Sequence, residues 1–154
     1  MAITVTVNGR AHAVDAPETA TLLDALRNHL GLMGTRYGCG LEQCGCCMVL
    51  LDGQPVHACT RELGTAAGRS VTTVEGLGSA ADPHPIQQAF IDEQAGQCGY
   101  CLSGIVISTK ALLDRNPTPS RADIVAALDG HLCRCGSHTR ILKAVERAAK
   151  AVAR

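Results

Sequence analysis

The sequence predicts an α+β fold: a small mixed sheet crossed by one helix, followed by a helical second half. Three features lead there. Residues 3–7 (Ile-Thr-Val-Thr-Val) alternate apolar and polar side chains, the period of a half-buried strand. Asn8-Gly9 and Asp52-Gly53 each separate two short apolar runs, the strongest local signal for a two-residue hairpin. Past a stretch of Gly and Pro at 76–85, the apolar positions recur with helical spacing.

Taken in order, residues 3–7 and 11–14 are the strands of the first hairpin. Thr21 with Asp24 resembles a capping box that opens a helix over 22–29, and Gly31 and Gly34 stop it. Residues 48–51 and 55–59 form the second hairpin, with Cys59 at the end of its returning strand, and 70–74 is a last short strand. In the second half, 85–93 and 103–114 are helices. Ile105, Val106, Ala111, Leu112 and Leu113 form the buried side of the second of these, and Asn116-Pro117-Thr118-Pro119 ends it. Ser120 with Asp123 caps a third helix that closes at Gly130. The last helix runs from about Thr139 to the chain end, with Ile141, Leu142, Val145, Ala148, Ala149 and Val152 on one face.

Composition narrows the function. The 154 residues include nine cysteines but only three aromatics, Tyr37, Phe90 and Tyr100. Aromatic side chains bring the largest areas to a core, and two small cores of Leu, Ile, Val and Ala are marginal unaided. Something besides apolar burial must hold the protein together, and cysteine is the candidate. Lys and Arg total 14, as do Asp and Glu. No basic stripe exists to neutralise phosphates, so no nucleic-acid partner is expected. The longest uncharged stretch, 94–109, is too short and too polar to span a bilayer, so no direct membrane insertion is expected. The N-terminal residues read as a strand and not as a signal peptide. A cytoplasmic compartment is therefore the default expectation; a periplasmic one would need an export signal on a partner. In a reducing compartment, clustered cysteines favour metal over disulfides.

Each half has its own cysteine set. Cys39, Cys44 and Cys47 are spaced C-x4-C-x2-C, with Cys59 following at a distance. That is the plant-type [2Fe–2S] spacing. Three thiolates converging from one loop require tight backbone bends, which Gly38, Gly40 and Gly45 permit. The second set is Cys98-x2-Cys101 and Cys133-x-Cys135, each pair just ahead of a helix. Positive helix ends favour thiolates. By spacing alone, a four-cysteine zinc site suits this second set nearly as well. Cys46 reads as a small apolar filler beneath the first loop. The histidines, His12, His29, His57, His84, His131 and His138, are scattered, although His131 and His138 flank the second clamp.

At these residues the chain resembles a known family. The run Gly34-Thr35-Arg36-Tyr37-Gly38-Cys39-Gly40 leads into Gln43-Cys44-Gly45-Cys46-Cys47. Gln97-Cys98-Gly99-Tyr100-Cys101 and Leu132-Cys133-Arg134-Cys135 follow in order. All are similar to motifs of the small iron–sulfur subunit of the xanthine oxidase family of molybdenum hydroxylases, and the resemblance covers nearly the whole chain. It implies a ferredoxin-like β-grasp domain over 1–76, a linker at 77–84 and a four-helix domain over 85–154. Each domain would hold one [2Fe–2S] cluster, the first on Cys39, Cys44, Cys47 and Cys59 and the second on Cys98, Cys101, Cys133 and Cys135. The resemblance thereby sets zinc aside.

The resemblance also implies partners. A large subunit would carry the molybdenum–pterin cofactor and take two electrons from a substrate. This chain would pass them singly to a flavin subunit or a cytochrome c-type acceptor. Cys135 stands where a ligand sulfur approaches the pterin, and Gln97 where a side chain hydrogen-bonds to it. No residue of this chain is expected to turn over substrate. Gly136-Ser137-His138 replaces the Thr-Gly-Tyr of many members and resembles the branch acting on isoquinoline, nicotinate or some aldehydes. Cys46 stands where the family commonly has Ala. Two rival readings remain, a stand-alone ferredoxin-like carrier and a zinc-stabilised interaction module. The helical half weighs against the first, and iron analysis separates the second.

Overall fold

The computed structural model describes residues 2–153. Five strands form one mixed sheet: β1 (Ile3–Val7), β2 (Arg10–Val14), β3 (Met48–Leu51), β4 (Gln54–His57) and β5 (Ser70–Thr72), in the order β2-β1-β5-β3-β4. The two hairpins are as expected. Asn8 and Gly9 have φ of 51° and 79°, and Asp52 and Gly53 have 49° and 79°. Both central residues of a tight hairpin turn of this kind need positive φ, which Asn, Asp and Gly tolerate best. β1 runs parallel to β5, while β3 runs antiparallel to both β4 and β5. Ile3, Val5 and Val7 point into a core completed by Val49, Leu51, Val71, Leu22 and Leu26.

The first helix departs from expectation. Thr21 caps it, its hydroxyl accepting the Asp24 amide at 3.1 Å. Only α1 (Leu22–Asp24) is α-helical, and Ala25–His29 widens into a π-helical turn. The Leu30 amide reaches back five residues to the Ala25 carbonyl at 3.0 Å. The Arg27 guanidinium then donates to the carbonyls of Met33 (2.9 Å) and Thr35 (2.8 Å). The helix end and the loop that follows are thus tied together where the chain enters the first cysteine run. Two strands also end early. β4 stops at His57, so Cys59 lies in the turn beyond it and not on the strand. β5 stops at Thr72, and a 3₁₀ turn covers Val74–Gly76.

The second half contains α2 (Pro85–Asp92), α3 (Leu102–Arg115), α4 (Arg121–Leu128) and α5 (His138–Val152). The expected run of the last helix to Arg154 lies partly outside the described residues. His84 caps α2 with Gln87 closing the box, and Ser120 caps α4 with Asp123. The largest difference concerns α3, which is buried almost all round. Ile105, Val106, Leu112 and Leu113 face the helical core. Ile107 and Ala111 pack instead on Leu50 of β3. This explains the unbroken apolar run at 48–51. Val49, Leu50 and Leu51 are all buried because α3 covers the sheet's second face there.

Candidate iron–sulfur centres

The first cysteine run forms a loop between the π-helical turn and β3. Its backbone bends through Gly40, Glu42 and Gly45, with φ of 70°, 59° and 75°. The bends turn amides inward. Leu41 and Gln43 donate their N–H to Cys39 Sγ at 3.3 and 3.2 Å, and Cys39 donates its own to Cys44 Sγ at 3.3 Å. The Leu41 and Gln43 amides hold the Cys39 thiol down at about 7. At the other side of the loop, burial pushes the Cys47 thiol up to about 12. A metal that coordinates such a thiol deprotonates it outright.

The sulfurs come in pairs. Cys39 neighbours Cys44, and Cys47 neighbours Cys59, each near enough to shift the other's thiol. In the second half, Cys98 neighbours Cys135 and Cys101 neighbours Cys133 in the same way. Cys101 is the residue just before α3, with its thiol pushed up to about 12 by burial. The Ser137 amide, at the start of α5, donates to Cys133 Sγ at 3.4 Å. Among the described residues, no three Cys, His, Asp or Glu side chains converge as a site for one ion. Two pairs per half suit a two-iron cluster, in which each iron takes two protein ligands, better than a single tetrahedral zinc.

The two sets face each other. A cavity of about 450 Å³ is lined by Cys39, Cys44 and Cys46 from one half and by Cys98, Cys101 and Cys133 from the other. Several contacts lock the loops together around it. Leu132 donates its amide to the Cys44 carbonyl at 3.1 Å, and Arg36 donates to the Gly99 carbonyl at 2.7 Å. The Arg36 guanidinium stacks over Tyr100, 5.1 Å from the ring centre, and the Tyr100 hydroxyl donates to the Tyr37 carbonyl. Gly104 lets the loop lie directly on α3, since a Cβ there would stand 1.9 Å from the Gly45 carbonyl oxygen.

Gln97 and Cys135, placed together by the resemblance, line one cavity of about 410 Å³ with Ser137 and Arg140. His131 is a residue the sequence pattern left unassigned. It is only 6% exposed, its Nε2 pairs with Ser108 Oγ at 2.7 Å, and burial pulls it down to about 4. Its ring wedges against Gly45, where a Cβ would lie 2.3 Å from Nδ1. No periodicity could have marked it; only its place beside the second clamp hinted at a role.

Comparison with known proteins agrees with this geometry. Residues 5–71 match the family model of the 2Fe-2S iron-sulfur cluster binding domain, and residues 73–146 that of the [2Fe-2S] binding domain. A nicotinate dehydrogenase component from Pseudomonas putida is 55% identical over 96% of this chain and 94% of its own length. The chain belongs to the small iron–sulfur subunits of the xanthine oxidase family. The alpha subunit of isoquinoline 1-oxidoreductase from Brevundimonas diminuta is 48% identical over 96% of this chain and 97% of its own. Among solved structures, quinoline 2-oxidoreductase from Pseudomonas putida matches with a TM-score of 0.94 at 35% identity, over 99% of this chain and 96% of that one. Aldehyde oxidoreductase from Desulfovibrio gigas matches with a TM-score of 0.95 at 38% identity, over 99% of this chain but 17% of that one. In that enzyme the unit is one part of a longer chain. As a family member, this chain has two [2Fe–2S]-binding domains and is a component of an oxidoreductase complex.

Proposed function

We propose that this chain is the electron-transfer subunit of a molybdenum hydroxylase. Cys39, Cys44, Cys47 and Cys59 hold one [2Fe–2S] cluster, and Cys98, Cys101, Cys133 and Cys135 hold the other. The observation that carries the reading is that each half gathers its own cysteines, with backbone amides donating to Cys39, Cys44 and Cys133 Sγ, and that the two halves meet at one shared cavity. Each cluster, when bound, supplies one-electron redox chemistry, so a two-electron oxidation elsewhere can be drained in single steps.

The chain's own residues prepare both sites. The Leu41, Gln43 and Cys39 amides stabilise negative charge on sulfur in the first loop. Burial of Cys47, Cys59 and Cys101 keeps water from the inner ligands. The Leu132–Cys44 and Arg36–Gly99 hydrogen bonds hold the two ligand loops at a constant separation. Gln97 and Cys135, at the rim of the second set, face the large subunit that carries the molybdenum–pterin cofactor. The relatives named for nicotinate, isoquinoline, quinoline and aldehydes support an N-heteroaromatic or aldehyde substrate bound on that subunit. A flavin subunit or a cytochrome c-type protein is the acceptor.

Anaerobic reduction tests the reading. In the complex with its large subunit, a heteroaromatic or aldehyde substrate should reduce both clusters, seen as two EPR signals. The isolated chain should respond to dithionite and not to substrate. Substrate turnover by the isolated chain, or failure of the two chains to copurify, would contradict it.

A further inference from the structure

Arg36 belongs to the first half, three residues ahead of Cys39, but its side chain reaches the second. Its guanidinium donates to the Gly99 carbonyl at 2.7 Å, and Gly99 sits between Cys98 and Cys101. The same guanidinium lies over the Tyr100 ring, 5.1 Å from its centre, within the range of a cation–π contact. Three further hydrogen bonds fix this seat. The Arg36 amide donates to the Cys46 carbonyl at 3.3 Å, and the Leu102 amide to the Gly99 carbonyl at 3.2 Å. The Tyr100 hydroxyl donates to the Tyr37 carbonyl.

A neutral donor could latch the two halves together. What the guanidinium adds is a positive charge, and one that no working pH removes. Among the described residues, no carboxylate lies within ion-pair distance of Arg36. The residue is half-buried, so water and salt screen it only in part. Arg134, inside the Cys133–Cys135 clamp, is a cation too, but it is exposed and therefore better screened.

The charge meets the ligand loop through one peptide group. The Gly99–Tyr100 peptide is trans, so its N–H points away from its C=O. A cationic donor on the carbonyl polarises that N–H and strengthens it as a donor in turn. The N–H belongs to Tyr100, the group that does most to hold the Cys98 thiol below its ordinary value.

We propose that Arg36 is a positioning residue for the redox chemistry of the second cluster: its fixed charge, seated on the Cys98–Cys101 loop from the other half of the chain, raises that cluster's reduction potential. The inference rests on the ligand assignment made under the proposed function. Its physical cause is that reduction adds negative charge to the cluster and its ligands, which a nearby cation and a polarised amide stabilise. The second set is also the one beside Gln97 and Cys135. Arg36 thus makes the cluster nearest the pterin side a better acceptor for the first electron that leaves it.

Redox titration of the loaded complex, followed by EPR, tests this. Arg36→Gln keeps an N–H donor and removes the charge. It should lower the second cluster's potential, and the first cluster's by less. Arg36→Met is a second neutral variant with the same expected fall. Arg36→Lys keeps the charge but loses the planar contacts with Gly99 and Tyr100, so a purely mechanical latch would fail in it as in Arg36→Gln. Its second-cluster potential should stay above that of both neutral variants. Equal second-cluster potentials in wild type and the neutral variants would overturn the inference. So would a lysine variant that falls as far as they do, or a first cluster that shifts further than the second. Iron content separates the two levels of the argument. A wild type without iron fails the proposed function and this inference together, whereas two intact clusters indifferent to Arg36 fail this inference alone.

Discussion

Gly104→Ala is the sharpest structural perturbation available at the seam between the two halves. The added Cβ would sit 1.9 Å from the Gly45 carbonyl oxygen, 2.9 Å from its carbon and 3.0 Å from Cys46 Cα. All three are backbone atoms, so no rotamer change relieves the clash. An ordinary carbon–oxygen approach is about 3.3–3.6 Å, so α3 and the ligand loop must part by roughly 1.4 Å. That movement stretches the Ser103–Cys46 hydrogen bond, which begins at 3.4 Å. Overpacking of this kind costs about 1–3 kcal/mol, and a rigid backbone on both sides places this case toward the upper end. At this chain length each kcal/mol lowers the melting temperature by roughly 2–4 °C. Gly130→Ala is the matched control, since a Cβ there meets nothing within 4 Å. Differential scanning calorimetry of the loaded protein should show a clear drop for Gly104→Ala and little change for Gly130→Ala. Equal melting temperatures for Gly104→Ala and wild type would refute the argued contact.

Other consequences can be checked in the same protein. Cys47→Ser should remove or alter one EPR signal of the reduced protein, and Cys101→Ser the other; loss of both signals in either folded variant would contradict independent ligand sets. His131, pulled from 6.5 to about 4 by burial, should make stability pH-dependent. Because the unfolded chain takes up this proton near pH 6.5 and the folded one only near 4, stability falls as pH drops through that window. The loss is of the order of 3 kcal/mol at most, and urea unfolding of His131→Gln should show a shallower decline. Iron removal by a chelator should lower the melting temperature of the β-rich half, because ligand binding stabilises the folded state; an unchanged melt would contradict this.

Much of the architecture was legible because its signals are local. Asn8-Gly9 and Asp52-Gly53 mark hairpins through backbone sterics alone, and Ser120 with Asp123 marks a helix start through one reciprocal capping interaction. The cysteine spacings mark their loops for the same reason. What escaped depends on contacts between segments far apart in the chain. The π-helical turn at Ala25–His29 precedes a loop anchored by Arg27 to Met33 and Thr35, which no helical period encodes. Burial on both faces of β3 requires α3. Cys59 beyond its strand, His131 wedged on Gly45 and the thiol of Cys46 beside Cys44 are all products of the packed seam. The pattern Gly45-Cys46-Cys47 shows a spare cysteine beneath the loop, buried as expected, but only the fold shows that its sulfur lies beside Cys44.

The central claim is that eight cysteines hold two [2Fe–2S] clusters in one chain. Metal and acid-labile sulfide analysis of the purified protein, with spin quantification of its reduced EPR spectrum, tests it most directly. The account predicts about four iron and four sulfide per chain and two distinct signals of roughly one spin each. A colourless protein containing zinc, or one signal with about two iron per chain, would contradict it.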